Sequence, residues 1–166
     1  EKLNGSYGQV TSSVTPKILG NPSETIKTAQ ATFTATPNDN CTFHGWYRDA
    51  AHTQKASDNA TYTEDITNNQ VGSTAHLTLY AWFKTNQTLT FNTATYEKNI
   101  VKGATLAGAA AATASSGLSV SYQSSNSNVV SVNDAGDVTG VSLSNDDVTI
   151  TALQPGNDEY SPASIT

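Results

Sequence analysis

Several residue types that proteins commonly use for chemistry are scarce in this chain of 166 residues. Cys41 is the one cysteine, so no disulfide can form within the chain. Eight basic residues stand against 14 acidic ones, which gives a formal net charge of −6. Because nucleic acids and anionic membranes are bound through clusters of Lys and Arg, this balance argues against both as partners.

Charged residues of either sign make up 13% of the chain, whereas about 25% is usual. Thr, Ser, Asn and Gln fill the polar positions instead. Thr suits the pleated surface of a strand, and Ser and Asn suit turns. Such a composition is common among secreted β-proteins and unusual for a cytosolic helical enzyme, so we expect an extracellular or cell-surface location.

Recognisable catalytic motifs are absent. His44, His52 and His76 fall in no metal-binding spacing, and we expect His44 and His76 to be exposed strand residues. The chain has no Gly-x-Ser-x-Gly turn to present a nucleophile and no phosphate-binding glycine loop. We therefore predict a non-enzyme without a cofactor or metal.

No apolar run approaches the roughly 20 residues of a membrane-spanning helix, so we predict no membrane insertion within this chain. The sequence begins at Glu1 without Met and stops at Thr166 inside a strand-like stretch. We expect a monomeric fragment of a longer multidomain chain.

Short alternating stretches predict a mainly β fold. Ala31, Phe33 and Ala35 share one face of a strand, and threonines fill the other face. The strands expected in the first half are 7–14, 25–36, 41–48, 60–66 and 76–84, with a polar excursion at 49–59. Those expected in the second half are 87–93, 95–101, 104–107, 118–124, 128–132, 137–142, 147–153 and one near Ser161. The Ala-rich stretch 107–114 is compatible with a helix or with a strand and loop.

The two halves differ in aromatic content, which predicts two domains. Nine of the 13 aromatic residues precede residue 86, including both tryptophans. We place the domains at 1–85 and 86–166. The predicted core of the second domain is formed by Leu89, Phe91, Val120, Tyr122, Val130, Val132, Val138, Ile150 and Ala152.

The first half contains TFTATPNDNCTFHGWYRDAAHTQ and closes with LTLYAWFK. An alternating strand, a turn, Gly-Trp-Tyr (45–47) and a closing Leu-Tyr-Ala-Trp strand (79–82) resemble a divergent internalin-type B-repeat. The resemblance covers about residues 25–84. It implies a small β-grasp-like module of the kind found in arrays on exported bacterial proteins.

The second half contains SVSYQSSNSNVVSVNDAGDVTGVSLSNDDVTITALQPGNDEYSPAS. Its Ser-Ser-Asn, paired valines, Gly turn, Val-Thr-Gly and Thr-Ile-Thr-Ala segments resemble a bacterial immunoglobulin-like domain over residues 87–166. The resemblance implies a β-sandwich with a stalk, adhesion or recognition role. The segment 144–147 departs from the small residues usual there.

Two groups of residues are candidates for binding. Tyr80 and Trp82 share one face of a strand and form a flat aromatic platform, either exposed or covered by the 49–59 excursion. Trp46 and Tyr47 point to opposite faces, so we expect only one of them, Trp46, in the core. Loop carboxylates of the second domain offer oxygen ligands for Ca²⁺, although Asp also suits turns: Asp134, Asp137, Asp146 and Asp147.

These observations predict a non-catalytic structural or interaction segment, a spacer or adhesion-type module, of a bacterial surface or secreted protein. The alternative is a glycan-binding accessory module of an exported carbohydrate-active protein, with Tyr80 and Trp82 as ligand-binding candidates. The partner, whether protein or glycan, is not identified by the sequence.

Overall fold

The computed structural model describes residues 7–17, 27–68, 77–93 and 99–166, and these residues form strands, turns and loops without a helix. The predicted mainly β fold is confirmed. The chain divides into two compact units, Glu1–Thr85 (unit 1) and Asn86–Thr166 (unit 2), and the division falls where the sequence places the domain boundary. The segment Gly20-Asn21-Pro22, whose composition predicts a turn, lies outside the described residues, as do His76 and most of the 95–101 segment.

Unit 1 contains two three-stranded antiparallel sheets. Its strands are β1 (Gly8–Lys17), β2 (Lys27–Pro37), β3 (Cys41–Tyr47), β4 (Lys55–Ser57), β5 (Thr61–Asn68) and β6 (Tyr80–Thr85). One sheet has the order β1-β2-β5 and the other has the order β4-β3-β6. Each of the five strands expected here has a counterpart, and β4 lies within the stretch expected to be irregular.

The β1-β2-β5 sheet has one apolar and one hydroxyl-rich face. Ala31 and Ala35 are buried, and Phe33, on the same face, contacts Trp46 of the other sheet at 5.7 Å between ring centroids. The opposite face carries threonines, and the hydroxyls of Thr32 and Thr63 lie 3.1 Å apart. The predicted alternation along β2 therefore sets which face packs inward.

A β-bulge in β3 interrupts the alternation in the other sheet. Phe43 pairs with Phe83 of β6, but the next pair is Gly45 with Trp82, so His44 is the extra residue. Gly45 has a φ of 135°, a conformation that suits glycine. As a result Phe43 and Trp46, three residues apart, lie on one face, with their ring centroids 5.6 Å apart.

Unit 2 is built from short strands in three small antiparallel sheets. Its strands are β7 (Leu89–Phe91), β8 (Thr105–Leu106), β9 (Ala112–Ala114), β10 (Ser121–Ser124), β11 (Val130–Val132), β12 (Val138–Gly140), β13 (Ile150–Gln154) and β14 (Ala163–Ile165). The sheets have the orders β10-β13-β14, β11-β12-β8 and β7-β9. The Ala-rich stretch 107–114 forms turns followed by β9, which resolves that alternative in favour of strand and loop.

The centre of the unit 2 core is made of small side chains. Leu89, Ala114 and Ala152 are buried together. The half-buried residues packed against them are Phe91, Ala112, Val120, Tyr122, Ala163 and Ile165. The predicted core members Leu89, Phe91, Val120, Tyr122 and Ala152 are thus found in one cluster. Ile150, Val130, Val132 and Val138 are half-buried outside it, so the expectation that they join this core was wrong.

A buried amide network ties the beginning of unit 2 to its last strands. Gln87 Nε2 donates to Gln154 Oε1 and to the carbonyl of Ser161, both at 2.7 Å. Ser116 Oγ donates to Gln87 Oε1 at 2.5 Å, and Gly156 N also donates to Gln154 Oε1. Because buried amides need partners, these contacts fix β7 relative to β13 and β14.

Candidate functional site

The two predicted ligand-binding residues, Tyr80 and Trp82, lie on β6, and both are half-buried. Tyr80 pairs with Tyr47 of β3, and Trp82 pairs with Gly45. Their two-residue separation places them on the same side of the sheet. That side faces away from the Phe43–Trp46 side, since Ala81 and Phe83 pair with Trp46 and Phe43.

Trp46 and Tyr47 point to opposite faces of β3, yet both are buried, with 0% and 5% of their surface exposed. The expectation that only one of them joins a core was wrong. Trp46 packs against Phe33, whereas Tyr47 makes an edge contact with Trp82 at 5.6 Å. Each face of the β4-β3-β6 sheet therefore buries one aromatic side chain of β3.

The indole of Trp82 is surrounded by ring systems. His52 stacks on it with a centroid distance of 4.8 Å and an interplanar angle of 4°. His44, the bulged residue, lies 5.9 Å away and is tilted. Of the two alternatives for Trp82, partial cover by the excursion is the arrangement found, because His52 belongs to that segment.

The position of His52 follows from a turn built by Asp49. The Asp49 carboxylate accepts hydrogen bonds from the backbone N–H groups of Thr53 and Gln54 and from Thr53 Oγ1, at 2.7–3.1 Å. These hydrogen bonds, that from Gln54 first, lower the pKa of Asp49. His52 itself has a φ of 56°, which turns the chain back over β6.

Two lysines complete this side of the sheet. Lys84 Nζ lies 4.2 Å from the centroid of the Trp82 ring, and Lys55 Nζ lies 5.5 Å from that of Tyr47. Lys55 also forms an ion pair with Asp58 at 2.6 Å. We call this surface the aromatic–basic face; its residues are His44, Tyr47, His52, Lys55, Tyr80, Trp82 and Lys84.

His44 is half-buried on this face, so the expectation of an exposed strand histidine was wrong. The bulge turns its ring toward Trp82 rather than toward solvent. Burial lowers the pKa of His44 below its ordinary value of 6.5, and the positive charges of Lys84 and Lys55 lower it further. Both effects favour the neutral form of the imidazole.

Replacing Lys84 with Gln is expected to raise the pKa of His44, because one of the two cations that oppose its protonation is removed. Burial remains, so the pKa should stay below 6.5. An NMR titration of the imidazole resonances measures this, with His44→Asn to assign the signal. Lys102→Gln in unit 2 is the control for the same charge change. A His44 pKa unchanged by Lys84→Gln would show that the two groups do not interact.

The same shift predicts how the stability of unit 1 depends on pH. A histidine whose pKa is depressed on folding binds its proton more readily in the unfolded chain. The contribution of neutral His44 is therefore present above about pH 6.5 and is lost as the pH falls through the folded-state pKa. His44→Asn should flatten this part of the pH–stability curve.

The acidic loops of unit 2 are used in turn formation. Asp137 accepts hydrogen bonds from Gly108 N at 2.7 Å and from Asn133 Nδ2 at 2.9 Å, and these contacts lower its pKa. Asp146 N donates to Ser144 Oγ at 3.0 Å. Within the described ranges, no three or more His, Cys, Asp or Glu side chains are grouped to hold a metal ion. Of the two roles considered for these carboxylates, Ca²⁺ binding and turn formation, the contacts of Asp137 are those of turn formation.

Two open depressions lie beside β13 in unit 2, with volumes of ≈ 500 and ≈ 670 Å³. Both are lined by Ser121, Gln154 and Pro155, and Asp134 is the one ionisable residue in either lining. The Gln154 amide is already engaged by Gln87. The second depression is also lined by Ser119 and Asn157, and neither depression brings two ionisable side chains together.

The sequence predicts Tyr80 and Trp82 as ligand-binding candidates but does not indicate which residues surround them. His52 and Lys84 were not linked to Trp82, because their proximity depends on the turn and on the strand register. One signal was available: Asp49 followed four residues later by Thr53 is the pattern of a carboxylate that caps a turn. That pattern predicts a compact loop rather than an irregular excursion.

The fold defines an all-β protein of two compact units. Comparison with protein families, with curated proteins and with solved structures found no match to this chain. Among the residues that the structure describes, no helix is suited to crossing a bilayer.

Proposed function

We propose that this chain is a non-catalytic structural and interaction segment of a bacterial surface or secreted protein. The observation that carries the proposal is the use of polar side chains to build the fold. Asp49 and Asp137 cap turns, and Gln87 and Gln154 pair inside unit 2. Side chains held in this way give a rigid module rather than a reactive centre.

The family resemblances support the same proposal. Gly45 of Gly-Trp-Tyr follows the bulged residue His44 at a φ of 135°, and Trp46 is fully buried. In unit 2, Gly136 forms the turn before β12 at a φ of 77°. A Cβ on Gly140 of Val-Thr-Gly would come within 2.7 Å of the Val101 carbonyl oxygen. These glycines stand where the backbone disfavours a Cβ, which supports a structural role for the two motifs.

An extracellular location is also proposed, on grounds of composition. With 13% charged residues and hydroxyl-rich strands, the chain has the surface of an exported β-protein. Its one cysteine, Cys41, is a free thiol, so neither unit depends on a disulfide.

A load-bearing spacer should unfold one unit at a time under force. We expect single-molecule stretching of the whole chain between inert handles to give two discrete events. Each should release somewhat less than about 300 Å, since an extended chain spans at most about 3.3–3.6 Å per residue. A smooth extension without discrete events would contradict the spacer role.

A hydrolytic activity abolished by one point mutation would contradict the non-catalytic assignment.

A second candidate function is glycan binding through the aromatic–basic face. The observation that favours it is the half-buried pair of Tyr80 and Trp82 beside Lys84 on one strand. Aromatic rings that remain accessible next to a cation offer both stacking and charge to a ligand.

A further inference from the structure

We propose that the aromatic–basic face binds a carboxylate-bearing polysaccharide, with Lys84 as the residue that recognises the carboxylate. This inference rests on the second candidate function and specifies its ligand class. It assigns Trp82 the role of stacking platform and Lys84 the role of anion receptor.

Lys84 differs from Lys55, the other lysine of this face, in its partners. Its ammonium lies 4.2 Å from the Trp82 ring centroid, and it forms no ion pair with the other residues that the structure describes. Lys55 differs, because it already forms an ion pair with Asp58 at 2.6 Å. Lys84 is therefore the cation of this face that can accept an anionic partner.

A bound anion would change the contact between the Lys84 ammonium and the Trp82 ring. A charge-assisted hydrogen bond to a carboxylate is stronger than the contact of an ammonium with an exposed ring. A carboxylate would draw Lys84 from the indole and uncover the part of the ring that the ammonium occupies. Recognition of the charge and opening of the aromatic surface would then be one event.

The spacing of Tyr80, Trp82 and Lys84 along β6 indicates which ligand geometry fits this face. A uronic acid residue carries a carboxylate on a ring that also has an apolar C–H face. Tyr80 and Trp82 stand two residues apart on β6, about 6.6–6.8 Å along the strand, with Lys84 the next residue on the same side. An aromatic surface followed by a cation is complementary to a sugar ring followed by its carboxylate.

A nucleic acid is a poor fit to this face. Unit 1 carries six basic and seven acidic residues. The face has two ammonium groups, one of which is paired with Asp58, and these cannot follow a phosphate backbone.

The test is a titration of the full chain with oligogalacturonate, followed by tryptophan fluorescence and by NMR of the two indole Nε1–H signals. We expect saturable binding that shifts the Trp82 signal and leaves that of Trp46, which is fully buried, unchanged. Lys84→Gln should weaken binding about tenfold or more, because a hydrogen bond to a charged group is lost. Lys84→Arg should retain most of the affinity.

Lys102→Gln removes the same charge from unit 2 and should leave affinity within about twofold of the unaltered chain. A neutral oligosaccharide of equal length should bind about tenfold or more weakly. Circular dichroism and thermal unfolding check that each variant is folded.

Four results would overturn the proposal. Equal losses in Lys84→Gln and Lys102→Gln would indicate nonspecific charge attraction. Equal affinity for the neutral oligosaccharide would mean that the face binds glycans without recognising a carboxylate. Equal or tighter binding of an acidic peptide would assign the face to proteins. Absence of any saturable binding would refute the ligand class, while the stretching experiment tests the structural role independently.

Discussion

Truncating Trp46 to Ala is expected to lower the free energy of unfolding of unit 1 by about 3–5 kcal/mol. Trp46 is fully buried, packs against Phe33 and Phe43, and donates from Nε1 to the Ala60 carbonyl at 3.3 Å. Its removal leaves a cavity where the two sheets of unit 1 meet. Denaturant unfolding followed by fluorescence measures the effect, because both tryptophans lie in unit 1 and Trp82 remains as the reporter.

Trp82→Ala is the comparison variant. Trp82 is half-buried, and its stacking partner His52 comes from a loop rather than from a second sheet. We expect Trp82→Ala to lower the free energy of unfolding of unit 1 by less than half as much as Trp46→Ala does. Trp46→Phe, which keeps an aromatic ring and loses the hydrogen bond to Ala60, should fall between the two. Equal losses for the two alanine variants would mean that the aromatic–basic face is as much a core as the interior.

Gly136→Ala is expected to destabilise unit 2 by about 2–5 kcal/mol. The left-handed conformation, with a φ of 77°, contributes about 1–2 kcal/mol for a residue with a Cβ. Steric overlap adds about 1–3 kcal/mol, because the new Cβ would lie 2.5 Å from Ala111 N and 2.6 Å from Ala111 Cα. Ala110 N also donates to the Gly136 carbonyl at 2.8 Å, so the strand turn cannot move away freely.

Gly117→Ala isolates the conformational part of this effect. Gly117 has nearly the same φ, 75°, but a Cβ there would meet no atom within 4 Å. We expect this variant to cost about 1–2 kcal/mol. Unfolding of unit 2 can be followed by NMR of its tyrosines, while tryptophan fluorescence should show unit 1 unchanged. If both glycine variants cost the same, the close approach of Gly136 to Ala111 is not rigid.

Strands β2 and β13 show which features alternation along the sequence predicts. Alternation predicts that Ala31, Phe33 and Ala35 share one face, and they lie on the inner face of their sheet. It likewise predicts Ala152 in the core, and Ala152 is fully buried. Ile150, on the same face of β13, is only half-buried, because it pairs with Ser124 at the end of β10 rather than with Tyr122. Alternation gives the face of a residue, but burial also depends on what lies opposite.

The residues surrounding Trp82 show where pattern fails. A strict alternation puts Phe43 and Trp46 on opposite faces, whereas the bulge at His44 brings them together. The same bulge carries His44 toward Trp82, and the Asp49 turn carries His52 over it. Neither the extra residue nor the path of the turn is visible in hydrophobic periodicity.

The sequence by itself determined the all-β class and the inner face of β2, because both follow from period-two patterning, which is local. Tertiary structure alone decided that Tyr47 is buried, that His44 and His52 meet Trp82, and that Ala114 joins Ala152 at the centre of unit 2. The ring contacts of Trp82 and the pairing of the short strands join segments that are distant in sequence, so no local window contains both partners. The Asp49 turn is local, but its pattern does not show that it carries His52 over β6.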